Sequence, residues 1–234
     1  MGNKEIWTSL VMGWGPKRER EIEFIEQGDL RGLVAPLEGA GGYEQRFNLQ
    51  DHLWELSDGW KRRLCVWDGG AASGRALAAL QKKYPVDVLG INAWEVDEKL
   101  REEVRGFLKR GWIPKRGEVD MVIGLNERLS GKVRRAAKKI DKYPPDLVLF
   151  SNSLPYSSSS EDPIGTLPLV FVGLERVLPE GGWALIYDGS GEISYPIYEK
   201  CLGLLDLGFE VERRKNEVQA DWGSGEYLVL NRIG

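Results

Sequence analysis

The sequence predicts an α/β fold, in which a mostly parallel, seven-stranded sheet carries helices on both faces and closes with a C-terminal antiparallel hairpin after a mainly helical N-terminal extension. Three observations lead there. From residue 64 onward, short Val/Ile/Leu-rich runs alternate with helix-like segments, the pattern of strands that are buried on both faces and joined by right-handed crossovers. The last two strand-like runs, 209–215 and 226–232, are joined by NEVQADWGSG, which is too short for a crossover helix, so they pair antiparallel. The 234 residues accommodate one large domain and an added segment, but not two or three full domains.

Taken in order, the first strand is LCVWD (64–68), followed by a helix over 74–84 in which Ala76, Leu77, Leu80 and Tyr84 recur at helical spacing until Pro85 stops it. Strands follow at 86–92, 119–124, 146–152 and 183–188, with helices over 95–110, 128–142, 165–178 and 194–207. Gly181 and Gly182 permit the tight passage from the helix ending at Leu178 into the fifth parallel strand. Residues 1–60 form the extension and 61–234 the main domain. Pro16 opens a helix over 16–27, and Trp7, Trp14, Tyr43, Phe47 and Trp54 suit either a lid or a small satellite core.

Composition removes several classes. No apolar run approaches the roughly 20 residues of a membrane-spanning helix, and MGNKEIWTSLVMGWG has no cleavage signature, so no membrane partner is expected and the cytoplasm is the expected location. Cys65 and Cys201 lie far apart inside apolar patterns and read as buried thiols. A single histidine, His52, excludes metal sites built on histidine clusters and relays with more than one histidine. The net charge of −4 gives no global reason for nucleic-acid binding. Lys132, Arg135, Lys139 and Lys142 nevertheless form one basic stripe, which reads first as a solvated helix face.

Candidate chemistry gathers at the ends of the strands. After Asp68, the run Gly69, Gly70, Ala71, Ala72, Ser73, Gly74 leads directly into a helix. Small residues there let backbone approach a ligand, and the helix start offers free N–H groups. The fourth strand runs into SNSLPYSSSS, where Ser151, Asn152, Pro155 and Tyr156 sit at the carboxyl edge at which open α/β sheets bind ligands.

This element order, with Asp68–Gly74 as D-x-G-x-A-x-G and LPEGG before the fifth strand, resembles the class I S-adenosylmethionine-dependent methyltransferases over roughly residues 60–234. The resemblance implies S-adenosyl-L-methionine as cofactor and methyl transfer as the activity. It places Asp68, Gly69, Gly70, Ala72 and Gly74 around the cofactor, Asn92 at its ribose, and Asn126 or Glu127 at its adenine, with the register between those two open. Ser151, Asn152 and Tyr156 fall beside the transferable methyl group. If the acceptor must lose a proton, the candidate bases are His52, Tyr156 and Asp188. Three departures stand out: Ala72 replaces a glycine, Asn92 replaces an acid and so lacks charge-assisted bonding to the ribose, and SNSLPY lacks the first proline of the amino-methylating pattern. A small-molecule acceptor is expected ahead of RNA or protein. The alternatives are a catalytically degenerate binding module and, less favoured because of the C-terminal hairpin, a nucleotide-binding oxidoreductase.

Overall fold

The structure, a computed structural model, describes residues 18–27, 46–71, 74–91, 98–113, 141–151, 153–154, 163–188, 191–215 and 225–234. The elements are α1 (Arg18–Gln27), α2 (Leu49–Leu56), β1 (Leu64–Asp68), α3 (Arg75–Lys83), β2 (Val86–Gly90), α4 (Glu98–Phe107) and β3 (Gly111–Trp112). They continue with β4 (Leu147–Ser151), α5 (Pro163–Val177), β5 (Trp183–Tyr187), α6 (Gly191–Leu205), β6 (Phe209–Lys215) and β7 (Glu226–Arg232). The seven strands make one sheet in the order β3-β2-β1-β4-β5-β7-β6. β1 pairs parallel with both β2 and β4, while β7 pairs antiparallel with β5 and β6. The expected fold class is therefore the observed one.

Alternation along the strands divides the core into two. Leu64, Val66, Val86, Val88, Leu147, Leu149 and Leu185 face a cluster closed by Leu77 and Leu80 of α3, Val104 of α4, and Ile25, Leu49 and Leu53 of α1 and α2. Trp67, Leu89, Val148, Phe150, Ala184 and Ile186 face the other way, against Phe171 and Leu174 of α5 and Tyr195, Tyr198 and Leu202 of α6. Strands buried on both sides have no polar face to spare, which is why β1 and β5 read as continuous apolar runs. The described part of the N-terminal extension packs into the first of these cores. Phe47 is fully buried there, whereas Trp54 stands exposed.

The strand beside β2 is Gly111–Trp112, immediately after α4, an element the sequence pattern does not predict; the strand expected at 119–124 and most of the helix expected over 128–142 lie outside the described residues. A two-residue edge strand is too short to leave a periodic signal. Among the described residues no helix is long and apolar enough to cross a membrane.

At the edge where the parallel strands begin, Asp146 joins two of them. Its Oδ2 accepts a 2.7 Å hydrogen bond from the Cys65 N–H and its Oδ1 meets Arg62 Nη1 at 2.5 Å. Asp146→Ala is expected to destabilise the fold by about 1–3 kcal/mol by orphaning a backbone donor. Asp146→Asn, which keeps an acceptor and weakens only a half-exposed ion pair, should cost under about 1 kcal/mol. Urea unfolding midpoints check both, and equal losses would show that the ion pair dominates.

Candidate functional site

β1 ends in a turn fixed to both neighbouring strands. Beyond the last residue of β1, Gly69 N–H donates to Leu149 O of β4 at 2.8 Å, while Ile91 N–H, just past β2, donates to Asp68 O at 2.8 Å. The Asp68 side chain is buried, and its Oδ1 accepts the Gly70 N–H at 2.9 Å. The turn closes with Gly74 N–H on Ala71 O at 2.6 Å, and Gly74, at φ +83°, opens α3 from the left-handed region that glycine tolerates.

Both glycines are also held by packing. A Cβ on Gly70 would lie 2.5 Å from Ser153 Cβ, and one on Gly74 would lie 2.0 Å from Ile113 Cδ1. The turn is thus tight against the segment after β4 and the end of β3.

At the same edge of the sheet stand groups of both charges. Arg46, only 8% exposed, donates from Nη1 to Ser151 Oγ at 2.6 Å and lies 5.0 Å from the centre of the Tyr187 ring. Asp188, just past β5, is buried, and its Oδ2 accepts from the Tyr198 hydroxyl at 2.8 Å. Burial and the adjacent carboxylate push the Tyr198 phenol far above its ordinary range, so it serves as a neutral donor. The Asp188 N–H donates to the Tyr195 hydroxyl at 3.0 Å, which itself lies 2.8 Å from Glu226 O. Ser153 Oγ is buried and has no hydrogen-bond partner among the described residues. Such a group costs free energy unless something else satisfies it.

The structure brings Asp68, Gly69, Gly70, Gly74 and Ser151 to one edge of the sheet. Ala72, Asn92, Asn126, Glu127, Asn152 and Tyr156 lie outside the described residues. The strand at 119–124 on which the expectation for Asn126 and Glu127 rested also lies outside the described residues. Two residues now join the candidates: Arg46, which nothing in its local sequence relates to a serine 105 positions away, and Ser153, inside the quoted SNSLPY run.

His52 is a correction. It lies on α2 inside the core, 2% exposed, with Nε2 at 2.8 Å from the Tyr227 hydroxyl and its ring edge-on to Trp183 at 5.1 Å. Desolvation, aided by the nearby Arg214 cation, lowers its pKa from 6.5 to about 4. It is a packed neutral imidazole and no base for the site.

Neither a protein-family model nor a curated protein sequence matches this chain. Solved structures with the same architecture do. A candidate class I S-adenosylmethionine-dependent methyltransferase from Listeria monocytogenes superposes with TM-score 0.55 at 11% identity, covering 93% of this chain and 69% of its own. A candidate O-methyltransferase from Klebsiella pneumoniae also gives TM-score 0.55 at 11% identity, covering 97% of this chain and 96% of its own. A third, a candidate O-methyltransferase from Nostoc punctiforme, gives TM-score 0.50 at 15% identity over 92% of this chain and 61% of its own. With the β3-β2-β1-β4-β5-β7-β6 order, this likeness gives the chain the class I S-adenosylmethionine-dependent methyltransferase fold. At these identities the likeness is one of fold.

The buried imidazole makes stability sensitive to acid. Because the folded pKa of His52 lies below the unfolded 6.5, its neutral form favours the fold above about pH 6.5, and this contribution is lost as the pH falls towards 4. The loss amounts to at most about 3 kcal/mol. His52→Gln keeps a donor for Tyr227 and cannot titrate, so its urea midpoint should fall less than the wild type's between pH 6.5 and 5. Parallel curves would remove the imidazole as the cause.

Proposed function

We propose that the protein is an enzyme that transfers the methyl group of S-adenosylmethionine to a small-molecule acceptor. The observation that carries this reading is the chain from Asp68 to Ala71, tied to the ends of β2 and β4 at the carboxyl edge of a sheet that ends in an antiparallel hairpin. The donor set fits the cofactor. Asp68, Asp188 and Arg46 present two carboxylates and one guanidinium at one edge, matching a ligand with a sulfonium, an ammonium and a carboxylate.

When bound, the cofactor supplies an already activated methyl group, so the chain's own task is to hold, align and exclude water. Asp68 shapes the turn by accepting the Gly70 N–H. Ser151, fixed by Arg46, and Ser153, with a free hydroxyl, present polar atoms at the end of β4. Asn92 follows Ile91, whose N–H is tied to Asp68 O, a sequence position suited to the ribose hydroxyls. Asn152 and Tyr156 flank the Ser153 segment and are assigned to positioning the acceptor, with Tyr156 or Asp188 taking a proton where the acceptor must lose one. Arg46, Ser153 and Asp188 are all buried, and polar groups so little exposed suit a small acceptor better than a polymer. Asn92 in place of an acid supports a second reading, a module of the same fold that binds without turnover.

Isothermal titration with S-adenosylmethionine and S-adenosylhomocysteine, with NAD(H) as control, tests the reading. Micromolar binding of the sulfur compounds alone supports it, and binding of none of them overturns it. Ser153→Ala removes a hydroxyl with no described partner, so stability should hold or rise by about 1 kcal/mol. Ligand affinity should fall several-fold in the same variant. Unchanged affinity would take Ser153 out of the site.

A further inference from the structure

The opposite edge of the sheet, about 16 Å away along five-residue strands, has a different character. Arg62 and Arg63 lead into β1 and Arg110 into β3, and carboxylates there tie these segments together. Asp87 Oδ1 lies 2.9 Å from Arg110 Nε and 3.6 Å from Arg63 Nη1, while Arg62 meets Asp146 at the start of β4. Gln81, at the end of α3, adds a further link: its Oε1 accepts from the Lys109 and Arg110 N–H groups at 2.6 and 3.2 Å.

This stitching leaves lysines in surplus. Lys82, Lys109 and Lys142 stand exposed on three adjoining connections, and none has an ion pair among the described residues. This half of the edge also bears the exposed acids Asp58 and Asp141, whereas the half below β5, β7 and β6 carries Arg176 and Arg232 beside Glu175, Glu180 and Asp206. A chain with net charge −4 has therefore collected positive charge on one half of one edge.

Aromatic rings accompany the lysines. Lys142 Nζ lies 5.4 Å from the Tyr143 ring centre and Lys83 Nζ lies 5.1 Å from that of Tyr84. Tyr84 stacks on Trp60 at 5.4 Å and 13°, and Trp60 meets Trp54 edge-on at 6.0 Å. Trp54, at the outer end of this chain of rings, is 54% exposed.

From this juxtaposition we propose that the edge below β3, β2, β1 and β4 is a docking surface for single-stranded nucleic acid. Lys82, Lys109 and Lys142 face its phosphates and the exposed Trp54 indole takes a stacked base. Unpaired ammonium groups supply salt-sensitive, sequence-independent affinity, and an exposed ring on a rigid aromatic support adds what a merely acidic partner would not use. The surface is separate from the candidate active site and does not depend on cofactor binding.

Fluorescence anisotropy of the full chain, without cofactor, tests it with labelled oligouridylate, oligothymidylate, a duplex of the same length, and polyglutamate as competitor. The logarithm of affinity should fall with the logarithm of salt with a slope of about −2 for three phosphate contacts. Replacing Lys82, Lys109 and Lys142 by Gln should weaken binding by at least about tenfold and flatten that slope. Trp54→Ala should weaken it by about tenfold while leaving the slope unchanged. All four side chains are exposed, and thermal melts confirm that the variants stay folded. The preferred oligonucleotide tells RNA from DNA. No binding, equal or tighter binding of the duplex, displacement by polyglutamate at equal charge, or insensitivity to either variant overturns the proposal.

Discussion

The structure depends on how the turn after β1 is tied to its neighbours. β1 is flanked on both sides, and the hydrogen bonds of the sheet continue past its end, through Gly69 to Leu149 O and through Ile91 back to Asp68 O. A loop leaving an edge strand would be held on one side only. This one is held on two, with the Asp68 carboxylate bracing it from within. α3 is therefore launched from a fixed point, and its Leu77 and Leu80 fall over the sheet. The end of β4 can then come down on Gly70 and the end of β3 on Gly74.

The same geometry sorts the buried polar groups. Two apolar cores fill the faces of the sheet, so a charge taken inside needs partners within reach, and several such groups stand where strands begin or end. At the beginning, Asp146 has Arg62 and a backbone amide, and its neighbour Cys65 is an inert thiol, pushed by burial up to about 12. At the end, Asp188 is held by two tyrosines of α6, and Arg46 by Ser151 and the Tyr187 ring. At the first edge the carboxylates act as structural clamps; at the other, Asp188, Arg46 and the Ser153 hydroxyl, which has no partner among the described residues, lie along the same edge of the sheet.

The parts of this arrangement that repeat locally were legible in the sequence. Strands 64–68, 209–215 and 226–232 fall where the sequence puts them: the first because burial on both faces forces a continuous apolar run, the last two because the link between them is too short for a crossover helix. Helix ends moved by a few residues, as at α6, which starts at Gly191. β3 was not legible, since two residues carry no period. Arg46 was invisible for another reason: its role comes from Ser151, brought near only by the folded chain. His52 was legible as helical but not as buried, because Trp183 and Tyr227, which enclose it, come from β5 and β7. The glycines of the turn were read as room for a ligand, and the structure adds that Ser153 and Ile113 require them too.

The enclosed His52 has a practical consequence. It is the chain's one histidine, so any imidazole signal in a proton spectrum comes from this site alone and needs no assignment. Its ring touches α2, β5 and β7 together. A single resonance thus reports whether the N-terminal helix is seated on the far side of the sheet, and reagents that attack imidazole become a clock for how often that seat opens.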